Sequence, residues 1–105
     1  MKFAIINDIH SGPDDSGFKG SVQRKLTYES DRLVKKFVVE MNTLEQPEFV
    51  INLGDFIEDV NLRDTDIRYF QKTHELLSQL SMPVYSLIGN HDVRTLSEED
   101  IARML

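Results

Sequence analysis

Three short apolar runs, residues 3–7, 49–53 and 84–88, each stop at a polar motif, and this alternation narrows the folds open to the chain more than any other feature. The motifs are Asp8-Ile9-His10, Gly54-Asp55 and Gly89-Asn90-His91-Asp92. Runs this short and this apolar suit strands covered on both faces, the usual setting of parallel strands. If the three strands lie side by side in a parallel sheet, all three motifs emerge along one edge. That edge, outside the carboxyl ends of the strands, is where open α/β sheets bind ligands.

The segments between the strands read as helices. Over residues 28–44, Leu33, Val34, Phe37, Val38, Met41 and Leu44 recur at three- and four-residue steps, the pattern of one helical face. Pro47 closes that connection. A second helix is expected after a cap at Asp64 or Thr65, with Ile67, Phe70, Leu77 and Leu80 inward and Tyr69 and Leu76 flanking, and Pro83 stops it. Ser97 with Asp100 three residues on resembles a capping box for a last helix running to Leu105. The order βαβαβα predicts an α/β fold with a mainly parallel sheet. Residues 11–27, polar and punctuated by Gly12, Gly17 and Gly20, read as a long loop: either a wall of a substrate site or an ordinary surface excursion.

At 105 residues the chain suits one domain, and 18 acidic against 12 basic side chains give a formal charge of −6. Such a balance argues against a broad nucleic-acid surface, so a small phosphorylated ligand, a nucleotide among the options, would need a local positive charge such as metal ions supply. Cysteine is absent, which excludes disulfides and thiolate ligands and leaves carboxylate, imidazole and amide donors. Lys2 and the apolar residues after it are too few for a signal peptide, and no stretch is long enough to span a bilayer, so a cytoplasmic setting with no membrane partner is the default.

The motifs suit a metal. Side chains two apart in an extended segment point the same way, so Asp8 and His10 can converge on one ion. Gly54 permits a close turn that lets Asp55 reach the same point, and Asn90 offers an amide oxygen at the third strand end. This mixed oxygen and nitrogen set fits manganese, iron or zinc. Glu58 and Asp59 could stand behind the ligands or lie on a solvated loop, and His74, inside the second helix, reads as a plain surface or boundary residue.

Asp-x-His, Gly-Asp and Gly-Asn-His-Asp, in that order and each after a strand, resemble the first three signatures of the calcineurin-like metallophosphoesterases. The likeness spans the chain to about Asp92. It implies the first half of a four-layer sandwich and a dinuclear site for two divalent ions, with Asp8 and His10 on the first, Asp55 bridging both and Asn90 on the second. It also implies that His91 sits at the leaving group, oriented by Asp92, and that a bridging hydroxide attacks phosphorus. The family pattern continues with an isolated histidine and a Gly-His-x-His segment, neither of which occurs before Leu105. Residues 1–105 are therefore expected to be the amino-terminal part of a metallophosphoesterase domain, short of ligands for the second ion. Three parallel strands also leave sheet edges open, which a homo-oligomer could cover. The rival from another class is a non-catalytic scaffold of the same fold that binds a protein partner.

Overall fold

The computed structural model describes residues 1–16, 18–23 and 27–105. Three parallel strands, β1 (Phe3–Ile6), β4 (Phe49–Asn52) and β5 (Val84–Ser86), form a sheet in the order β1-β4-β5. Phe3 pairs with Phe49 and Ile6 with Asn52, while Val50 pairs with Val84 and Asn52 with Ser86. Between them run helices α1 (Ser30–Glu40) and α2 (Arg63–Leu77), and α3 (Glu98–Met104) follows β5. The alternation expected from the sequence is present. A short antiparallel hairpin, β2 (Phe18–Lys19) with β3 (Val22–Gln23), is added inside the stretch read as loop. Its turn uses Gly20 at φ +65°, which a two-residue hairpin turn favours and which a two-residue strand gives little periodicity to announce. Gly17, read as loop punctuation, lies outside the described residues.

Among the described residues the helices cover one face of the sheet. Val50 is buried in one core cluster with Val34 and Val38 of α1 and Phe70, Leu76 and Leu77 of α2, with Ala4, Ile6 and Val84 packed against it, and Asn52 is buried on the same strand. Phe56, just past β4, stacks on Phe70 with ring centroids 4.4 Å apart. On the opposite face Phe3 is 50% exposed and Tyr85 61%, with Ile5 and Leu87 also exposed. Phe3 stacks on Phe49 at 5.3 Å, and Phe49 meets Tyr85 edge-on at 6.0 Å. Coverage on both faces was the expectation, and the described residues supply it on one. Continuous apolar runs state that both faces avoid water without stating which segment covers each.

Local differences have local causes. Leu33 and Leu44, counted on the inner helical face, are exposed. Leu44 lies in the wider turn Met41–Glu45, whose five-residue hydrogen-bond step breaks the 3.6-residue phase before Gln46 ends it in the left-handed region at φ 45°. Helix α2 starts at Arg63 after Leu62 and has no side-chain cap, so neither Asp64 nor Thr65 caps it. Asp66, one turn in, is instead buried: Oδ1 accepts from the Val60 amide at 3.0 Å and Oδ2 from the Thr95 hydroxyl at 2.6 Å. Leu76 is core rather than flank, and the helix ends at Leu77, before Pro83. The box at Ser97 and Asp100 is formed, each side chain bonded to the other's main-chain N–H. Among the described residues no helix is long and apolar enough to cross a membrane.

Candidate metal centre

Beyond the sheet edge the segments that follow β1 and β4 stay together. Leu53 donates its amide to Ile6, His10 donates to Asp55 at 3.0 Å, Ser11 to Phe56 at 2.9 Å and Glu58 back to Ser11 at 3.0 Å. Ser11 and Ile57 form a parallel bridge. These bonds carry sheet-like pairing several residues past the strands, so the side chains of residues 8–10 and 55–58 are placed by main chain.

The backbone does not run extended there. Asp8 has φ 54°, His10 φ 48° and Asp55 φ 55°, all left-handed, and Gly54 has φ 104°. Each non-glycine residue in this region carries a cost of order 1 kcal/mol, and such outliers gather at binding sites. The convergence of Asp8 and His10 therefore has a different origin from the two-residue alternation of a strand. Two left-handed residues flank Ile9, which enters the core while Asp8 and His10 turn toward Asp55.

His10 Nε2 lies 3.7 Å from Asp8 Oδ1 and 3.9 Å from Asp55 Oδ2. One ligand atom from each of these three residues falls within 4.8 Å of the others. His10 and Asp55 are largely enclosed, with side chains 12% and 14% exposed, whereas Asp8 stands at the rim. Two carboxylates facing one imidazole nitrogen at nearly equal distances concentrate negative charge, which a dication offsets better than a single proton. The donor set fits a divalent ion.

The third motif joins through main chain. The His91 amide donates to Asp55 Oδ1 at 2.9 Å, which pins the bridging candidate. Asn90, exposed in the turn before it, sits on that same loop, one residue from the contact. Such closeness of β4 and β5 ends needs two glycines. A Cβ on Gly54 would meet the Gly89 nitrogen at 2.6 Å, and one on Gly89 would meet the Asp55 nitrogen at 2.3 Å and Asp55 Oδ1 at 2.1 Å.

Asp92 ties the third motif to the segment after β4. Its carboxylate is fully buried, with Oδ1 accepting from Phe56 at 2.7 Å and Ile57 at 3.3 Å, and Oδ2 accepting from Gly89 at 3.0 Å. Burial raises its pKa, opposed by those three amides. The carboxylates that meet the His91 ring are Asp59, with Oδ1 2.6 Å from Nδ1, and Glu58, with Oε1 at 3.3 Å. Glu58 and Asp59 are only 11% and 10% exposed, so the solvated-loop reading of this pair is set aside. The rings of His10 and His91 meet edge-on at 5.0 Å. No periodicity distinguishes Glu58 from a loop residue; the only sequence signal was its place three residues after Asp55. A cleft of about 520 Å³ adjoins the cluster, lined by Asp8 and His10 together with Ile6, Ile9, Leu33 and Val34.

A parallel α/β sheet with an aspartate, a histidine and a second aspartate gathered at its carboxyl edge defines a class, and comparison agrees with it. Residues 1–104 match the family model described as calcineurin-like phosphoesterase, and the chain belongs to that family. The manganese-dependent ADP-ribose/CDP-alcohol diphosphatase of Arabidopsis thaliana is 27% identical over 106 residues, covering all of this chain and 34% of that protein. The crystal structure of a dimetal phosphatase from Danio rerio shares the fold with a TM-score of 0.81 at 23% identity, over 97% of this chain and 33% of the other. The chain thus spans about a third of the length of these relatives.

Proposed function

We propose that this chain supplies the amino-terminal ligands of a metal-dependent hydrolase of phosphate esters. The observation that carries this reading is the meeting of Asp8, His10 and Asp55 within 4.8 Å at the carboxyl edge of the sheet. In it Asp8 and His10 would hold a first divalent ion, Asp55 would serve both ions, and Asn90 would offer its amide oxygen to the second. The ions would supply Lewis acidity toward the phosphoryl group and a nucleophile drawn from water. His91, its Nδ1 held by Asp59, delivers a proton from Nε2 to the leaving oxygen. Gly54 and Gly89 keep the loops close enough for Asp55 and His91 to act on one phosphoryl group.

Manganese and a small diphosphate-linked substrate are the first choices, supported by the family and by the name of the Arabidopsis relative. A chain of charge −6 favours such a ligand over a nucleic acid. The test is elemental analysis alongside hydrolysis of an aryl phosphate, an aryl phosphodiester and a nucleoside diphosphate ester with added Mn²⁺. Asp55→Ala is expected to lose bound metal and turnover together. His91→Ala is expected to keep metal and to lose about 10²–10⁴-fold in turnover. Wild-type levels of metal in Asp55→Ala would overturn the ligand assignment. Full metal binding by the wild type, with none of the three esters cleaved, would favour a scaffold.

A further inference from the structure

His10 is placed between two clusters and uses a different ring nitrogen for each. Nε2 faces Asp8 and Asp55 at 3.7 and 3.9 Å, while Nδ1 faces Glu58 Oε1 at 3.9 Å. The same Glu58 oxygen lies 3.3 Å from His91 Nδ1. One carboxylate oxygen therefore confronts the Nδ1 atoms of both histidines, and His10, Glu58 and His91 form a second set of donors within 4.8 Å of one another.

The placement of Glu58 is built into the fold. Its amide is bonded to the Ser11 carbonyl at 3.0 Å, tying it to the segment that carries His10. Gly12, next in that segment, leaves the room: a Cβ there would stand 3.1 Å from the Glu58 carbonyl oxygen and 2.9 Å from Ser16 Oγ. Asp59 reaches His91 alone among the contacts described for it, at 2.6 Å. The two acidic neighbours are thus not equivalent.

We propose that Glu58 is a positioning residue shared by His10 and His91, facing Nδ1 of both rings, alongside Asp59 at His91, so that His10 presents Nε2 to the metal and His91 presents Nε2 to the leaving group. This rests on the proposed metal site and extends it, because a single carboxylate then couples ion affinity to the orientation of the proton donor. Carboxylates behind a metal-bound histidine fix its tautomer and orientation, and their loss commonly lowers metal affinity 10–100-fold. The 3.9 Å separation from His10 exceeds a hydrogen bond, and contacts of this kind commonly tighten when a site is filled.

The test uses the full chain and two readouts, Mn²⁺ affinity by calorimetry and the imidazole tautomers by long-range ¹H–¹⁵N correlation with Mg²⁺ as a diamagnetic ion. Wild type is expected to show both histidines with Nδ1–H. Glu58→Gln is expected to weaken Mn²⁺ binding about 10-fold or more and to disturb both rings, with partial recovery in Glu58→Asp. Asp59→Asn is expected to disturb His91 only and to leave Mn²⁺ affinity within about 2-fold. The proposal is overturned if Glu58→Gln changes His91 but leaves affinity and the His10 ring unaltered, or if wild-type His10 carries its proton on Nε2. Should Glu58→Gln fail to fold, the wild-type tautomers decide. Failure of the wild type to bind Mn²⁺ at all would strike the metal site itself, a distinct outcome.

Discussion

Asp92 offers the sharpest test of how the third motif works. In Asp92→Ala the amides of Phe56, Ile57 and Gly89 lose their acceptor in a space closed to water. An unsatisfied buried donor costs about 1–3 kcal/mol, and because the three share one site the expected loss is about 3–5 kcal/mol rather than their sum. Asp92→Asn is the informative companion. Its carbonyl oxygen can still serve Phe56 and Ile57, but its amino group meets the Gly89 N–H donor to donor, so about 1–3 kcal/mol is expected. Urea unfolding of the three proteins at neutral pH gives both differences. There is a pH signature as well. Burial raises the Asp92 pKa, so the folded chain holds this proton more tightly than the unfolded chain does. Its contribution to stability therefore falls as pH rises from the ordinary carboxyl value through the raised one, and Asp92→Asn removes that slope. The reasoning is refuted if Asp92→Ala unfolds within about 0.5 kcal/mol of wild type. A fully stable Asp92→Asn that has lost turnover would support the role of orienting His91.

Further outcomes follow from neighbouring contacts. Gly89→Ala places a Cβ against main-chain Asp55, a clash that no rotamer relieves, so the strand ends must part by about 1 Å; a loss of about 2–3 kcal/mol in thermal unfolding and weakened Mn²⁺ binding are expected. Wild-type Mn²⁺ affinity in that variant would show that the close approach is dispensable. Arg63 grips Asp100 with its two terminal guanidinium nitrogens, at 2.7 and 2.9 Å, and holds its carboxyl well below the usual carboxylate range. That pairing lends stability above the ordinary carboxyl pKa and is lost only as pH falls through the lowered one. Arg63→Gln is expected to bring the Asp100 carboxyl shift, followed by ¹³C NMR titration, up toward pH 4.

Much of this architecture was visible in residue order. The three runs and their motifs place β1, β4 and β5 and their shared edge because apolar strands and glycine turns are local signals. The capping box at Ser97 was legible for the same reason. Other features depend on partners distant in sequence. The amides of Val60 on Asp66 and of Phe56 and Gly89 on Asp92 come from other segments, and no local pattern announces them. Glu58 acquires meaning only when Ser11 and Gly12 lie against it. The left-handed conformations of Asp8, His10 and Asp55 are set by where the chain must go next, which composition at those positions does not encode.

The stitching between residues 8–11 and 54–58 has a consequence for how this molecule can change. Those links join amide to carbonyl and are indifferent to which side chains flank them. Substitutions on the solvent side of the helices can proceed while the donor atoms keep their spacing, whereas Ser30 of α1, whose hydroxyl donates to the carbonyls of Ile9 and His10, is tied to the site. Only an inserted or deleted residue, or a bulkier group at the three close glycines, would throw the lattice out of step.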